Sequence, residues 1–518
     1  MSNILTEPRV RAAYSEGAGI YRIIPQGVAI PDSTDQVATL VRDAERSGTA
    51  LVPRGAGSGM PGGNVGHGII VDLSRGFRAI RVDPERRIAH AGASVTWAEV
   101  DDAARSHGLR LPPDPSSGAF ATSGGMVSTN AAGPRTVRFG SVRRWVQGLE
   151  VVGASGAVRW VRRNGGGSRL EQLSETERRL VTEHVPKTRK SSSGYALNAF
   201  LDSGEEVDLF VGAEGTLGIV TAVEWRLDPV PAEVAGLLLG FADLAALGEV
   251  VPFLVGLSPS AVELLDSTLL AFVAASGTDV PPGVEALLLV EFEREHASAA
   301  RGVVGDAVRG LKHLTRTVET APDRLGMEQI WRFRRQASPA LASLPDTRRS
   351  LQVIEDGCVP LERLGDYISA LRAAAAARDV PVAIFGHAGD GHVHVNALPD
   401  ITRPAWQDAV RGLFDDATGA LHRLGGVPSG EHGVGRLRAG ILERFFGRDV
   451  IRLFERVKRA YDPRSVFNPG VILPSAEWSP LADLKVGDAA APIPGDIARR
   501  LRDIERTGGW ATPKDSLA

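Results

Sequence analysis

The clearest helical pattern near the start of the chain covers Ser33 to Ser47. Val37, Leu40, Val41 and Ala44 fall on one face, Ser33 and Gln36 form a capping box, and Gly48 is the stop. A strand is predicted at Ala50 to Pro53, and Ile69 to Asp72 resumes as another beyond a glycine-rich loop. From Ala222 to about Ala321 the pattern changes to amphipathic segments and short apolar strands such as Ala286 to Phe292, without glycine-rich loops, which predicts a second domain. The longest apolar stretch, Val234 to Leu257, is broken by Asp243, Glu249 and Pro252 and is too interrupted for a membrane span. Residues 372–378 continue an alanine-rich helix. Val382 to Phe385 reads as a strand that turns at Gly389, Asp390 and Gly391. It returns with His392, His394 and Asn396 on one face and Val393 and Val395 on the other. That hairpin is expected to bring His387 opposite His394. From Ser475 onward the chain is rich in Pro, Gly and charge and reads as a surface appendage.

Composition narrows the class. The 518 residues, 43% hydrophobic and 23% charged, suit a folded chain of two or three domains. Its 59 basic and 62 acidic residues are interspersed, so no polybasic face for nucleic acid is implied. The single Cys358 excludes an internal disulfide framework and cannot alone hold an iron-sulfur cluster or a structural zinc. The opening MSNILTEPRV lacks the apolar core of a secretory signal. A cytoplasmic protein without a transmembrane segment is expected, any membrane contact being peripheral at the inner face.

Glycine crowds into residues 53–68, 118–140, 212–218, 386–391 and 425–440, where backbone must come close to something. The run RGAGSGMPGGNVGHG contains GxGxxG at Gly57, Gly59 and Gly62. A dinucleotide fingerprint of that kind must open a helix, and Pro61, Gly62 and Gly63 block one. Consecutive unobstructed amides can still make an anion nest for a diphosphate, and the alternative is a flexible surface loop. In PSGEHGVGR, Glu431 and His432 lie between glycines and are free to fold against the histidine hairpin. Neighbouring side chains diverge in an extended stretch, so one can ligate a metal while the other faces a substrate. Imidazole and carboxylate donors suit Zn²⁺, with Mn²⁺, Fe²⁺ or Co²⁺ as alternatives.

In order and content, PPDPSSGAFATSGGMVSTNAAG from 112, RFGSVRRWVQGLEVV from 138, KSSSGYAL from 190, GAEGTLGIVT from 212 and DPRSVFNPGVIL from 462 form one series with the first loop. The series resembles the FAD-linked oxidoreductases of the vanillyl-alcohol oxidase and p-cresol methylhydroxylase superfamily, in the D-lactate dehydrogenase, glycolate oxidase and D-2-hydroxyglutarate dehydrogenase branch. The resemblance reaches Pro474. It implies an α+β fold: a two-part FAD-binding domain over 1–225 and a substrate (cap) domain over 226–455, in which helices cover an antiparallel sheet. A return segment over 456–475 and a C-terminal tail over 476–518 complete it.

The resemblance also implies site residues. Arg54, Gly55, Gly57, Ser58 and Gly59 inherit the FAD pyrophosphate loop. Pro113, Thr122, Ser123, Gly125, Asn130 and Gly133 match the loop beside the flavin, and Ser141, Glu214, Gly215, Ile219 and Val220 match positions around pyrophosphate and adenine. Asn468 matches an asparagine set against the flavin. Ser58 stands where some relatives attach flavin through a histidine, so noncovalent FAD is expected. His387, His394 and Glu431 correspond to metal ligands, His432 to the general base, and Arg334 of IWRFRRQASPAL to the arginine that clamps a substrate carboxylate. Alternatively, Arg334 makes a structural salt bridge. His392 replaces a common Asn, and three roles stay open for it: a donor behind the ligands, an extra ligand, or none.

The implied reaction is metal-assisted oxidation of a D-2-hydroxy acid to the 2-oxo acid, with rate rising as His432 loses its proton. The end of the chain resembles members with a fused iron-sulfur domain, yet only one cysteine is present. Electrons are therefore expected to leave for a separate quinone, flavoprotein, cytochrome or iron-sulfur protein. An oxidase using O₂ and a non-redox FAD enzyme like alkylglycerone-phosphate synthase are the alternatives, and a homodimer is left open.

Overall fold

The computed structural model describes residues 4–518 apart from 171 and 276; the first three residues of the opening segment lie outside that description. The chain is a mixed helix and sheet protein built on three principal sheets. In the first, strands Leu51–Arg54 and Gly27–Ala29 flank Ile69–Asp72 in parallel, and Ile4–Leu5 adds an antiparallel edge. The Thr34–Ser47 helix covers it through Val37, Leu40, Val41 and Ala44, as its periodicity predicts, and ends at Gly48 with φ 71°. Its start differs from the sequence reading: Ser33 makes no side-chain cap, and Gln36 Oε1 accepts instead from the Asp32 amide at 3.1 Å. The following strand runs one residue later than predicted, at Leu51–Arg54.

The second sheet is antiparallel, in the order Ile80–Asp83, Ile88–Gly92, Ile219–Arg226, Val146–Val152, Val158–Arg162. Its central strand contributes the fully buried Trp225.

The third sheet has seven antiparallel strands, with Ala286–Arg294, Ala261–Asp266, Val382–Gly386 and His392–Ala397 at its centre. Helices such as Leu364–Ala377 and Trp406–Arg423 cover one face, and Ser267–Ala275 and Arg324–Arg335 the other. The interrupted stretch 234–257 divides between strand Glu233–Phe241 and helix Leu247–Gly256. Among the described residues no helix is long and apolar enough to cross a membrane.

Two forked ion pairs tie this sheet to the preceding part of the chain. Arg110 donates to both oxygens of Glu293 (2.8 and 2.7 Å), and Arg135 to both oxygens of Glu291 (2.7 and 2.8 Å). Such bidentate geometry fixes orientation as well as distance. Both glutamates lie on strand Ala286–Arg294, and Glu291 also accepts from Ser260 Oγ (2.9 Å) and the Trp331 indole (2.8 Å).

The C-terminal tail is not a surface appendage. Helix Gly495–Thr507 buries Ile497, Leu501 and Ile504 against Ala13, Tyr14, Val52 and Ile70 at the first sheet. On its polar face Arg502 and Arg506 pair with Asp346 (3.2 and 3.0 Å) and Glu505 pairs with Arg349 (3.1 Å). The apolar spacing Ile497, Leu501, Ile504 is an amphipathic helix signal inside a segment otherwise dominated by charge. Truncating Leu501 to alanine should therefore cost about 2–5 kcal/mol in urea unfolding, as for a core leucine. A change below roughly 0.5 kcal/mol, typical of a surface site, would contradict this packing.

Candidate active site

Strand Leu51–Arg54 ends in a loop held open by two features. Gly57 has φ 81°, and a Cβ there would lie 2.4 Å from the Arg54 guanidinium. That guanidinium is buried and donates to the carbonyls of Glu16 (2.8 Å), Tyr14 (3.3 Å) and Asn64 (3.4 Å), so Arg54 braces the loop from behind. The amides of Ala56, Gly57, Ser58 and Gly59 donate to no protein acceptor among the described residues. Four successive free amides are the anion nest that the glycine pattern predicts. They line a cavity of about 1020 Å³, at the upper end of the range for small-molecule sites. Thr122, Gly125, Glu214, Gly215, Ile219 and Val220 share its wall with this loop. The cradle fits an elongated, diphosphate-bearing cofactor.

Other residues expected at the cofactor do not line the cavity. Asn468 donates to the carbonyls of Gly63 (2.8 Å) and Glu214 (2.9 Å), bracing two cavity loops from outside. Asn130, with φ 53°, caps helix Ser123–Thr129 and accepts from Ser141 Oγ at 2.8 Å. Ser123 accepts from the Trp225 indole at 3.3 Å. Gly133 packs where a Cβ would come 2.3 Å from the Asp114 carbonyl, and Pro113 is likewise outside the cavity wall. Glu214 lines the cavity, but its carboxylate accepts from the amides of Val434 (2.7 Å) and Gly435 (2.9 Å), joining the cofactor side to the loop after His432.

At the other end of the cavity the histidine hairpin differs from expectation in register. Phe385, not His387, pairs with His394. Gly386, at φ 147°, bends the chain out of the strand, and His387 then points back. Its Nε2 lies 3.4 Å from His394 Nε2 and 3.2 Å from Glu431 Oε1, which is 3.3 Å from His394 Nε2. Donors held about 2.1 Å from a tetrahedral ion are about 3.4 Å apart, so the triangle has the dimensions of a metal site. The outer nitrogens are engaged as metal-ligating imidazoles require. His387 Nδ1 donates to Glu263 Oε1 at 2.6 Å, and His394 Nδ1 to the Glu355 carbonyl at 3.1 Å. This leaves three lone pairs converging. Around them the buried carboxylates Glu263, Glu355, Asp356 and Glu431 outnumber the fixed cations Lys190, Arg334 and Arg438, a setting that favours an added cation.

His432 stacks on His394, with ring centroids 5.0 Å apart, and is 28% exposed toward the cavity. Its Nδ1 donates to Glu355 Oε2, and its Nε2 remains on the Glu431 side, 3.5 Å from Oε1. Burial alone would lower the imidazole pKa; Glu355 and then Asp356 overcome it and push it up to about 9. Arg334 is buried, and its Nε donates to Glu263 Oε2 at 2.7 Å while its guanidinium lies over Phe385. The salt-bridge alternative is thus realised at one edge. The two terminal nitrogens have no protein partner among the described residues and border the cavity. Glu263 would be raised by burial, but His387 and Arg334 reverse this and carry it down to about 2.

Residues 25–162 match the family described as FAD binding domain, and residues 230–472 match FAD linked oxidases, C-terminal domain. The chain is 30% identical over 463 residues to glycolate oxidase subunit GlcD of Bacillus subtilis, covering 87% of this chain and 89% of that one. The chain belongs to the FAD-linked oxidase family. It is an FAD-linked oxidoreductase of the p-cresol methylhydroxylase type. It is also 29% identical to D-lactate dehydrogenase of Archaeoglobus fulgidus, covering 86% and 91% of the two chains. With D-2-hydroxyglutarate dehydrogenase of Escherichia coli it shares 28% identity over 90% of its own length but spans only 50% of that protein. In fold it resembles 4-ethylphenol oxidase from Gulosibacter chungangensis (TM-score 0.66, 15% identity, 91% and 94% covered).

Sequence reasoning passed over Glu263, Glu355, Asp356 and Lys190, whose Nζ donates to Glu431 Oε2 at 2.9 Å. It also passed over Asn396 as a site residue; Asn396 lines the cavity and accepts from Ser350 Oγ at 2.9 Å. Lone acids inside the apolar runs AVELLD and LQVIEDGCVP were the available signal, since a buried charge needs a partner.

Glu214 yields a pH prediction. Burial lifts its carboxyl from 4.5 to about 7 against the opposing amide hydrogen bonds. A folded-state pKa raised in this way contributes stability that is full below pH 4.5 and lost as pH rises through 7. Relative to wild type, E214Q should therefore gain stability between about pH 5 and 8 in thermal unfolding. A pH-independent difference would contradict the assignment.

Proposed function

We propose that the chain oxidises a D-2-hydroxy acid to the corresponding 2-oxo acid and passes the electrons to a separate acceptor, such as a quinone, flavoprotein, cytochrome or iron-sulfur protein. The observation that carries this reading is the convergence of His387 Nε2, His394 Nε2 and Glu431 Oε1 within 3.2–3.4 Å of one another, directly beside His432. The names of the relatives, which act on glycolate, D-lactate and D-2-hydroxyglutarate by their descriptions, support the substrate class.

When bound, FAD supplies the hydride acceptor for the substrate's C2 hydrogen, and a divalent cation on His387, His394 and Glu431 supplies Lewis-acid polarisation of the substrate oxygens. Noncovalent FAD follows from Ser58 in the first loop. The remaining work belongs to side chains. The free edge of Arg334 receives the carboxylate in a two-point contact, oriented by Glu263 on its other edge. His432 takes the hydroxyl proton on Nε2, while Glu355 holds Nδ1–H and stabilises the imidazolium that forms. Neutral imidazole is the reactive form, and a cation held by His387, His394 and Glu431 would counter the upward push of Glu355 and Asp356. Zn²⁺ matches the donor set best, with Mn²⁺, Fe²⁺ or Co²⁺ compatible.

Anaerobic titration of the flavin-loaded protein with D- and L-2-hydroxy acids should bleach the flavin with D enantiomers, and chelation should slow that bleaching. Equal rates before and after complete metal removal would exclude the metal's role, and no bleaching by any hydroxy acid would exclude the substrate class. His432→Ala should retain FAD and lose at least about 100-fold in the rate of flavin reduction. Turnover close to wild type would remove His432 from the mechanism.

A further inference from the structure

His392 sits on the same face of strand His392–Ala397 as His394 and is completely buried. Its Nε2 donates to Asp356 Oδ1 at 2.7 Å, which fixes the tautomer and leaves Nδ1 as an unprotonated acceptor. That Nδ1 is buried and has no hydrogen-bond partner. An orphaned buried acceptor costs about 1–3 kcal/mol, so it needs an explanation.

The arrangement repeats what His387 and His394 do. Each of the three imidazoles is anchored through one nitrogen to an oxygen acceptor: Glu263, the Glu355 carbonyl, or Asp356. In the first two the opposite nitrogen faces Glu431. One donor atom from each of His387, His392, His394 and Glu431 lies within 4.8 Å of all the others. The His392 ring cannot swing away on its outer side, because it is pressed against the backbone of Gly430, where a Cβ would come 2.6 Å from its Cδ2.

We infer that His392 is a fourth protein ligand, giving a three-imidazole, one-carboxylate cation site in which Asp356 orients the added imidazole. This rests on the metal reading of His387, His394 and Glu431 and extends it to a residue whose role the sequence leaves open. A site with four protein donors retains the cation more firmly and takes substrate oxygens by expanding its coordination. Second, its carboxylate-anchored imidazole is a stronger donor than a free one.

The test uses the flavin-loaded protein, stripped with a chelator and titrated with Co²⁺ against a competing chelator. His392→Asn should weaken Co²⁺ binding at least roughly tenfold. X-ray absorption of the Co²⁺-loaded proteins should count three imidazoles in wild type and two in His392→Asn. Wild type showing only two imidazoles, or a variant whose affinity matches wild type, overturns the inference and leaves the three-residue site intact. Wild type that binds no Co²⁺ at all overturns both. The imidazole count on wild type decides the question even if the variant does not fold.

Discussion

A single buried carboxylate organises the histidine end of the cavity in this enzyme. Glu263 has no exposure to solvent, and its two oxygens are divided between Arg334 and His387. An ionised carboxylate in such a place survives only when both oxygens are paired, and removing one partner of a buried pair costs about 3–5 kcal/mol. The same pairing fixes the guanidinium so that its free edge borders the cavity, and fixes the His387 ring so that Nε2 faces Glu431. The proposed substrate clamp and the proposed metal ligand thus take their positions from one electrostatic necessity. Strand Ala261–Asp266 supplies the rigid support, because it lies between two other strands of the large sheet.

A second pair of acids does the same work for His432, the proposed base. Glu355 holds His432 and Arg438, while Asp356 receives the amides of Glu431 (3.2 Å) and His432 (2.9 Å) together with the His392 ring. The loop carrying Glu431 and His432 is glycine-rich and has no regular structure of its own. Its shape comes from Asp356 on one side and Glu214 on the other, so residues far apart in sequence determine where two neighbours point.

Much of this was legible in the chain. The stop at Gly48, the apolar face of the first helix, the strand resuming at Ile69 and the nest between them follow from local pattern, because each depends on neighbours within a few residues. The pairing of histidines with Glu431 was visible as residue types that share a chemistry. Register is not: the one-residue bend at Gly386 depends on a positive φ that sequence period alone does not reveal, so strict alternation puts His387 opposite His394, where Phe385 stands. Local pattern does not reveal Glu263, Glu355 and Asp356, because their meaning depends on contacts 36 to 124 residues away. In the tail, charge outweighs three apolar residues whose partners lie near the other end of the chain, so its packing does not show in local pattern.

The central claim is that the FAD-linked oxidase fold here holds a divalent cation between His387, His394 and Glu431, next to the imidazole that removes the substrate proton. Its most direct test is anomalous diffraction at the cobalt edge from crystals of the flavin-loaded protein reconstituted with Co²⁺. The account predicts one peak about 2.1 Å from His387 Nε2, His394 Nε2 and Glu431 Oε1. Crystals that carry flavin yet show no peak there, or a peak at another position, would contradict it.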